Sequence, residues 1–503
     1  MKNLSFALTL AGILFLNFST LFSQTFVETA KVVASDREMN GRFGFSTAIY
    51  EDIAVVGTFP NTSQSGKVYI FEKQSNGSWV EIQKITGHYS LGSSVAIYQD
   101  TIVIGAESDD TGGRGAAYVY EKDINGVFVL KQKLSISDFL DGRMYGDSVD
   151  IFGDVIVVGD PLADTVNGLS SGTAYVFEKN SNDQWIETNK LISSDGHSQE
   201  VFGGTVATNG EYISIGATHW PALYGKAYMF KKENGIWVET EEILPSRYTY
   251  NFGDSISMWG DYMAFGGSEL ELSIGPTKYY NAGVVYIFKL NNSGEWIETD
   301  RINASEFDED DYFGESVGLY EDRLIVGAYY EDEDETESNT LENAGSAYVF
   351  ERNPDESWSQ IQKIVASDRE AFDNFGISVA IYGESFMVGA MREGHDENGD
   401  NYIVRSGSIY AHQSQISLSS NSFTEDDQII FPNPVDKKLE IIFNKSHNSI
   451  KLQVYNLLGQ ELHTKHYSNA KKIEYQFPFD IGIYYLIITN EFGKKTVSKI
   501  IKK

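Results

Sequence analysis

The chain has 503 residues, no cysteine and a formal net charge of −33 at pH 7. The lack of cysteine excludes thiol catalysis, disulfides and cysteine metal sites, and so acidic a protein is unsuited to binding nucleic acid or anionic membranes. With 46 Gly, 30 Tyr and 30 Phe but only 9 Pro, the composition is typical of an all-β protein with many tight turns.

The N-terminus has the pattern of a secretory signal peptide, residues 1–23. Lys2 precedes an apolar run over residues 4–16, and the polar stretch that follows predicts cleavage between Ser23 and Gln24. The alternative is an uncleaved membrane anchor. Thirteen apolar residues are short for a membrane span, and no later segment is long enough to cross a bilayer. The sequence therefore predicts export, with no transmembrane segment in the mature chain.

One phrase occurs seven times: an aromatic residue or Leu, then Gly, any residue, and Ser or Thr. The copies begin at Phe43, Leu91, Tyr145, Phe202, Phe252, Phe313 and Phe375. Four strand-like runs, a to d, follow in each unit, and strand c carries one Tyr in every copy. These residues are Tyr69, Tyr118, Tyr175, Tyr228, Tyr286, Tyr348 and Tyr410. A spacing of 48 to 62 residues is typical of the blades of a β-propeller.

Seven copies of the phrase are accompanied by only six internal d strands. The missing strand is at the start of the mature chain, where residues 26–38 align without a gap with residues 358–370 and share the run Val-Ala-Ser-Asp-Arg-Glu. A solenoid has no reason to divide one repeat between its two ends. The sequence therefore predicts a seven-bladed β-propeller over residues 24–412, closed by the N-terminal strand, which removes an open sheet edge.

The recurrent Gly and Ser or Thr residues have a structural interpretation. Gly permits close approach of strands, and the hydroxyls are expected to satisfy backbone groups near the axis. The alternative is that seven hydroxyls line a ligand channel.

The units resemble FG-GAP repeats, the family that builds the propeller of integrin α-subunits, over about residues 25–412. The resemblance implies the fold, whereas one propeller scaffold hosts many binding and catalytic roles. The chain departs from the family where integrin-type repeats hold calcium in an Asp-rich loop between the first two strands. Here that connection is a bare turn such as 50–52, too short for a loop of oxygen ligands. Calcium is therefore not predicted at that place.

The longest loops connect strands b and c of units five to seven, at 268–282, 329–344 and 391–406. A meander places these b–c loops on the same face as the d–a connections, and this face carries dense acidic runs. Alternating carboxylates are candidate calcium ligands. The candidates are Asp308, Asp310, Asp332, Asp334, Asp396, Asn398 and Asp400. The alternative is a solvated acidic loop without a metal. Calcium is the one cofactor that the sequence suggests.

An enzyme is not predicted, and no catalytic residue is assigned. The chain has no nucleophile elbow, phosphate loop or zinc-binding helix motif. Paired carboxylates on the loop face remain an alternative, since they are the machinery of a glycoside hydrolase or lyase.

After a polar linker at 413–428, residues 429–503 form a different unit, with about seven short strands expected in a small β-sandwich. It holds 12 Lys against 6 Asp plus Glu, a net of +6, so residues 1–428 carry −39. One interpretation is an accessory immunoglobulin-like domain. The run Pro432-Asn433-Pro434, the segment 454–460, the strand 482–485 and the Lys-rich end resemble the type A sorting domain of the type IX secretion system.

This second resemblance implies a partner and a destination. The partner is the type IX secretion machinery, and cleavage falls in or near 413–428. The destination is the cell surface of a Gram-negative bacterium or the medium, after passage through the periplasm. The leading hypothesis is an exported binding protein, adhesin-like or specific for an extracellular glycan or protein. The alternatives are a secreted carbohydrate-active hydrolase or lyase and a passive structural surface protein.

Overall fold

The computed structural model describes residues 24–59, 65–109, 115–137, 144–218, 224–274, 277–416, 429–430, 435, 437–455, 461–479, 482–490 and 495–502. The predicted signal peptide with Ser23 lies outside these residues. Contacts divide the chain into two compact units, Phe26–Ser414 and a second that holds Gln415–Lys503, and each is described by itself. No helix among the described residues is long and apolar enough to cross a membrane.

All regular elements in the described part of the chain are β-strands. The strands of the first half are β1 (Gln24–Val32), β2 (Phe43–Tyr50), β3 (Ile53–Thr58), β4 (Ser65–Lys73), β5 (Trp79–Tyr89), β6 (Leu91–Tyr98), β7 (Thr101–Ala106), β8 (Ala116–Lys122), β9 (Phe128–Leu134), β10 (Val149–Phe152), β11 (Val155–Asp160), β12 (Thr173–Lys179), β13 (Trp185–Leu191), β14 (Phe202–Thr208), β15 (Tyr212–Ala217), β16 (Lys226–Glu233) and β17 (Ile236–Ile243).

The remaining strands of the larger unit are β18 (Ile256–Trp259), β19 (Tyr262–Gly266), β20 (Leu272–Ile274), β21 (Thr277–Tyr279), β22 (Val285–Leu290), β23 (Trp296–Ile302), β24 (Ser316–Tyr320), β25 (Arg323–Ala328), β26 (Ser346–Arg352), β27 (Trp358–Ile364), β28 (Phe375–Tyr382), β29 (Ser385–Ala390) and β30 (Ser408–Ile416). Those of the C-terminal unit are β31 (Ile429–Ile430), β32 (Lys438–Tyr455), β33 (Glu461–Gln476), β34 (Gly482–Asn490) and β35 (Lys495–Lys502).

Within the described residues 24–416 the strands form seven four-stranded antiparallel sheets and one short hairpin, β20–β21. Sheets one to six are the consecutive meanders β2–β5, β6–β9, β10–β13, β14–β17, β18-β19-β22-β23 and β24–β27. The burial pattern explains the order within a sheet. Every residue of β11, a second strand, is buried because neighbouring sheets cover both its faces, whereas β13, an outer strand, has exposed residues between buried Trp185 and Leu191.

The sheets pack side by side in a closed ring. The first strand of each sheet contacts the first strands of the sheets before and after it, and β28 of the seventh sheet contacts β2 of the first. Close approach depends on glycine: a Cβ on Gly389 would lie 2.1 Å from the carbonyl oxygen of Gly44. A β-bridge between Phe43 and Gly407 also joins the two ends of the ring. The predicted all-β, propeller-like architecture is confirmed.

The seventh sheet has the order β1-β30-β29-β28, so the N-terminal strand supplies its outer edge, which is the place that the repeat alignment predicts. Gln24, at the predicted cleavage site, is the first residue of β1. Strand β30 continues to Ile416, and Gln413 pairs with Ser385. The predicted linker boundary at 413 is therefore four residues early, and the rest of that linker, 417–428, lies outside the described residues.

The C-terminal unit has five strands in its described residues rather than about seven. The apolar runs 439–442 and 452–455 belong to one long strand, β32, whose register with β33 breaks between Ile442 and His447. The two halves of β32 therefore pair separately. Side chains from both halves, among them Leu439 and Leu452, enter one core with Leu486. The expected motif residues Pro432, Asn433 and Pro434, and residues 456–460 of the motif segment 454–460, lie outside the described residues.

Candidate functional site

The hydroxyls of the repeated phrase bond to the backbone of the next sheet, as the structural interpretation predicted. Ser46 donates to the carbonyl of Gly92 at 2.7 Å, and Ser378 closes the series by donating to that of Gly44 at 2.8 Å. The other donors are Ser94 to Gly146, Thr205 to Asp254, Ser255 to Gly314 and Ser316 to Gly376. Ser148 instead accepts from the N–H of Val206 at 3.0 Å. These hydroxyls join sheets and do not form a ligand-binding ring.

The recurrent Tyr of the third strand has a structural role too. In most sheets its phenol donates to a carboxylate from a connecting segment, as Tyr69 does to Asp36 and Tyr410 to Asp368, both at 2.7 Å. The equivalent donors are Tyr118 to Asp109, Tyr228 to Asp195 and Glu200, and Tyr348 to Glu331. Some of the acidic residues in the connecting segments therefore stabilise the scaffold by accepting these hydrogen bonds.

The longer connections all leave the same end of the sheets, because each sheet is a meander. We call this surface the loop face. Its described segments include 33–42, 161–172, 192–201, 224–225, 244–255, 267–274, 277–284, 303–315, 329–345, 365–374 and 391–407. The opposite end carries turns as short as Glu51-Asp52. Candidate binding residues therefore concentrate on the loop face.

An acidic pocket opens on the loop face at the sixth sheet. Its carboxylates are Glu331, Glu333, Glu337, Glu306 and Asp308, and its cavity measures about 360 Å³. Carboxylate oxygens of Glu331, Glu333 and Glu337 lie within 4.8 Å of one another, close enough to share a cation. No other such group of three occurs among the described residues. Lys363 supplies a counter-charge, with its Nζ 3.2 Å from Glu331 and 2.7 Å from Glu337.

Crowded carboxyls raise one another's pKa in this pocket. Burial, followed by repulsion from Glu331, raises the pKa of Asp311 to about 8. Burial and a hydrogen bond with Glu331 raise the pKa of Glu333 to about 7, and burial also raises the pKa of Asp308. The pocket therefore retains protons near neutral pH, and a divalent cation would compete with those protons.

Of the four calcium ligands predicted around the sixth sheet, only Asp308 lines this pocket. The carboxylate of Asp334 accepts from the backbone N–H groups of Thr336 and Ser338, at 2.9 and 3.2 Å. That of Asp332 accepts from the N–H of Asn343 at 2.6 Å, and that of Asp310 from the side chain of Asn281 at 2.6 Å. The carboxylates that lie close together are those of Glu331, Glu333 and Glu337, not those of Asp310, Asp332 and Asp334.

The predicted calcium loop of the seventh sheet is a compact turn. One oxygen of Asp396 accepts from the N–H groups of Asn398 and Asp400, at 3.0 and 2.9 Å, and the other accepts from Asn401. Asp396 is buried, whereas the side chains of Asn398 and Asp400 are exposed. These donors hold the pKa of Asp396 below its usual range. The carboxylate that was expected to bind calcium stabilises its own loop.

A second acidic cluster surrounds the axis of the ring. Asp147, Asp254 and Glu315 occupy the variable position of the repeated phrase, between Gly and Ser. Desolvation by the surrounding protein raises the pKa of Asp254, although its side chain is exposed, to about 6 and that of half-buried Glu315 to about 7, with further repulsion between them and from Glu269. Burial and Glu107 also raise the pKa of Asp147. Sequence reasoning missed this cluster, although the shared position of the three acids in the phrase was the available signal.

The axial channel is lined by first strands from all seven sheets and encloses a cavity of about 260 Å³. Aromatic side chains gather where these strands end. Tyr50 contacts Tyr98 and Tyr382 with ring centroids 5.3 and 4.7 Å apart, and Trp259 lies 4.2 Å from Tyr320. The channel is therefore narrowed by aromatic rings at the end opposite the loop face.

Comparison with protein families identifies both parts of the chain. Six segments match the FG-GAP repeat, at 26–71, 79–120, 128–177, 185–230, 296–350 and 358–411. Residues 429–503 match the secretion system C-terminal sorting domain, which supports export by type IX secretion to the cell surface or the extracellular space. The segment 231–295, between the fourth and fifth matches, is unmatched although it contains the phrase at Phe252 and three strands of the fifth sheet, β18, β19 and β22. No curated protein matches the chain.

Solved structures give distant similarities. The Pseudomonas aeruginosa periplasmic gluconolactonase PpgL is 11% identical, with a TM-score of 0.41, over 65% of this chain and 86% of its own. Kuenenia stuttgartiensis hydrazine synthase is 10% identical, with a TM-score of 0.46, over 78% of this chain and 99% of its own.

Proposed function

This chain belongs to the FG-GAP repeat family, and from that premise we propose that it is an exported binding protein whose loop face recognises an extracellular glycan or protein. The sorting domain supports export, and we propose that the protein passes through the periplasm and is then released or attached to the cell surface. Membership of a family of surface propellers, together with the sorting domain, supports a binding function rather than a catalytic one.

The observation that carries this proposal is a set of half-exposed tyrosines on the loop face: Tyr224, Tyr248, Tyr250, Tyr280 and Tyr402. Large aromatic side chains with a polar tip are enriched in recognition surfaces, because they contribute contact area at a small cost in conformational entropy. The repeated Ser, Gly and Tyr residues bond within the scaffold, so they are not available for a ligand. The tyrosines of the loop face remain accessible.

Calcium is a second element of the proposal. We place the cation at the acidic pocket of the sixth sheet, with Glu331, Glu333 and Glu337 as ligands, because their oxygens converge. Glu331 accepts hydrogen bonds from Tyr348 and from the N–H of Glu333, as Asp396 does from its own loop, but Asp396 belongs to no such group of three carboxylates among the described residues. Carboxylate oxygens are the ligands that Ca²⁺ prefers. The bound ion would order the loop 329–345 beside the tyrosines of neighbouring segments.

The proposal is tested by a binding screen of the mature chain, residues 24–503, against polysaccharides and extracellular proteins. Each binding reaction is run in calcium and again in EDTA, and the polysaccharides are then analysed for shortened products. Retention of at least one ligand is the expected result, and loss of retention in EDTA would support the calcium element. Absence of binding and of product would overturn the proposal in favour of a passive structural protein.

A hydrolase or lyase is the second candidate, and the axial cluster is the observation that favours it. Asp254 and Glu315 occupy the same position of the repeated phrase in neighbouring sheets, and desolvation with mutual repulsion raises the pKa of Glu315 to about 7, in the range of a general acid. Shortened glycans in the screen would support this candidate. The Glu315→Gln variant should then stop product formation while leaving retention on the loop face unchanged.

A further inference from the structure

Three tyrosines on the loop face form a stack that joins two connecting segments. Tyr224 precedes β16, and Tyr248 and Tyr250 lie between β17 and β18. The ring of Tyr224 is 5.1 Å from that of Tyr248 and 5.4 Å from that of Tyr250, at interplanar angles of 27° and 28°. The three residues are 50%, 53% and 50% exposed. We call them the tyrosine stack.

The backbone beneath the stack is fixed. The N–H of Gly225 donates to the carbonyl of Thr249 at 3.0 Å, which ties the two segments together. Thr249 is buried, so the alternation of an extended chain directs Tyr248 and Tyr250 outward. A Cβ on Gly225 would lie 2.3 Å from the carbonyl oxygen of Phe252, so the close approach requires glycine. The rings are therefore presented by a rigid base.

The other sheets of the ring show which residue types occupy the position of Tyr224. In four sister sheets the residue before the corresponding glycine is small and buried, namely Ser171, Ala282, Ala344 and Ser406, whereas in the first sheet Ser65 is exposed and in the second Arg114 lies outside the described residues. A large exposed ring at this position is therefore a departure that the fold does not require.

The position of Tyr250 lies two residues before the Phe of the repeated phrase. Three sister sheets have a buried carboxylate there, Glu200, Asp311 and Asp373, whereas the second sheet has Tyr89, which is also exposed. The segment that carries Tyr248 and Tyr250 is also shorter than the corresponding segments before the fourth and sixth sheets. Ser246 precedes Phe252 by six positions, whereas Ser194 and Ser305 precede their phrases by eight. Tyr248 and Tyr250 lie in the segment 231–295, between two FG-GAP matches.

We propose that the tyrosine stack is a binding platform for the pyranose rings of an uncharged polysaccharide. This inference rests on the proposed function and names its ligand class and its site. The apolar C–H faces of sugar rings pack on aromatic faces, and the phenolic hydroxyls at the ring tips are placed to meet sugar hydroxyls. The charge of −39 on residues 1–428 disfavours polyanionic glycans and nucleic acid, which leaves uncharged chains as the better match.

The test uses affinity gel electrophoresis of the mature chain in gels that contain mixed-linkage β-glucan, galactomannan or polygalacturonate. We expect an uncharged polysaccharide to retard the chain, and Tyr248→Ala and Tyr250→Ala to weaken that retardation about tenfold or more. Tyr250→Phe should retain most of the binding because the ring face is kept. The matched control is Tyr89→Ala, which removes an exposed tyrosine two residues before Leu91, the equivalent position in another sheet. Thermal melting confirms that each variant is folded.

Several outcomes separate this inference from the proposed function. Undiminished retardation of both alanine variants would overturn the platform, while the binding itself would leave the proposed function standing. Stronger retardation by polygalacturonate would overturn the choice of an uncharged ligand. A third outcome is that neither uncharged polysaccharide retards the chain, but an extracellular protein binds it and Tyr250→Ala abolishes that binding. This result would assign the tyrosine stack to a protein partner and overturn the proposal of a polysaccharide ligand. Absence of any ligand in the wider screen would overturn both proposals.

Discussion

Ser367 and Glu28 lie 339 residues apart and form a two-point contact that joins the sixth sheet to the N-terminal strand. The backbone N–H of Ser367 donates to one carboxylate oxygen of Glu28 at 3.1 Å, and its hydroxyl donates to the other at 2.7 Å. The same contact recurs between internal neighbours, as Ser35 makes it with Glu81 and Ser194 with Glu239. The ring is thus closed by the contact that joins its other sheets.

Closure predicts that Glu28→Ala destabilises the protein as much as Glu81→Ala does. Each substitution removes two hydrogen bonds to a charged acceptor, so the free energy of unfolding should fall by roughly 1–3 kcal/mol in both variants. Urea unfolding of the mature chain measures the loss. Glu51→Ala, in an exposed turn, is the control and should change the free energy of unfolding little. A Glu28 variant as stable as the control would contradict closure by this contact.

The raised pKa of Asp311 predicts that stability falls as pH rises from about 4 to about 8. In this range the folded state keeps a proton that the unfolded state, with the ordinary aspartate pKa near 4, has released. Folding therefore takes up a proton, and the contribution of this group to stability is lost as pH approaches its folded pKa. Melting temperatures between pH 4 and 9 in EDTA measure the slope.

Asp311→Asn should flatten that slope, because the amide keeps the shape of the side chain but does not titrate. Asp373→Asn is a matched variant, since Asp373 holds the same position in the next sheet and burial also raises its pKa to about 8. Glu397→Gln, at an exposed loop carboxyl, is the control. An Asp311 variant with the slope of the wild type would show that Asp311 does not carry this dependence.

The calcium element predicts that Ca²⁺ raises the melting temperature at pH 8, where the acidic pocket is least protonated, and raises it less at pH 5. Glu333→Gln should abolish the increase, while Asp396→Asn should retain it. Lys363→Met should enlarge the increase, because it removes the ammonium that neutralises Glu331 and Glu337. Thermal melting with and without Ca²⁺ measures all four chains. The reverse order of the glutamate and aspartate variants would place the ion in the seventh sheet instead.

The sorting domain predicts a location phenotype. Deletion of residues 429–503 should leave the propeller inside the cell envelope, because the segment that the secretion machinery recognises is gone. The propeller is a compact unit of its own, so the retained protein should remain protease-resistant. Cell fractionation and immunoblotting measure the distribution, with Tyr250→Ala as an exported control. Truncated protein in the medium would show that another signal directs export.

Much of the fold could be predicted from the sequence because the same pattern of residues occurs seven times. The position of Phe43 and its counterparts fixes the first strand of each sheet, and the alignment of 26–38 with 358–370 identifies β1 as an outer strand. The extra length of β32 could not be predicted, because its two halves are separated by a polar stretch, 444–449, that has the composition of a turn.

The candidate site was harder to predict, because the same residue types stabilise loops and bind ligands. Asp396, followed by Asn398 and Asp400, has the spacing of a calcium loop, yet that spacing also lets a carboxylate accept N–H groups of its own turn. Tyr224 and Tyr250 are 26 residues apart in sequence, and their contact depends on how two loops pack. Residues that depart from the repeat, such as Tyr224 and Tyr250, indicated a candidate binding site, whereas the residues shared by the copies indicated the fold.

Hydrogen–deuterium exchange with and without the ligand retained in the screen tests the central claim most directly. If the loop face binds, protection should appear in the segments 244–255, 267–284, 303–315 and 329–345, with little change in the short turns at the opposite end of the sheets, such as 51–52 and 153–154. Protection confined to those turns, or to the second strands alone, would contradict recognition by the loop face.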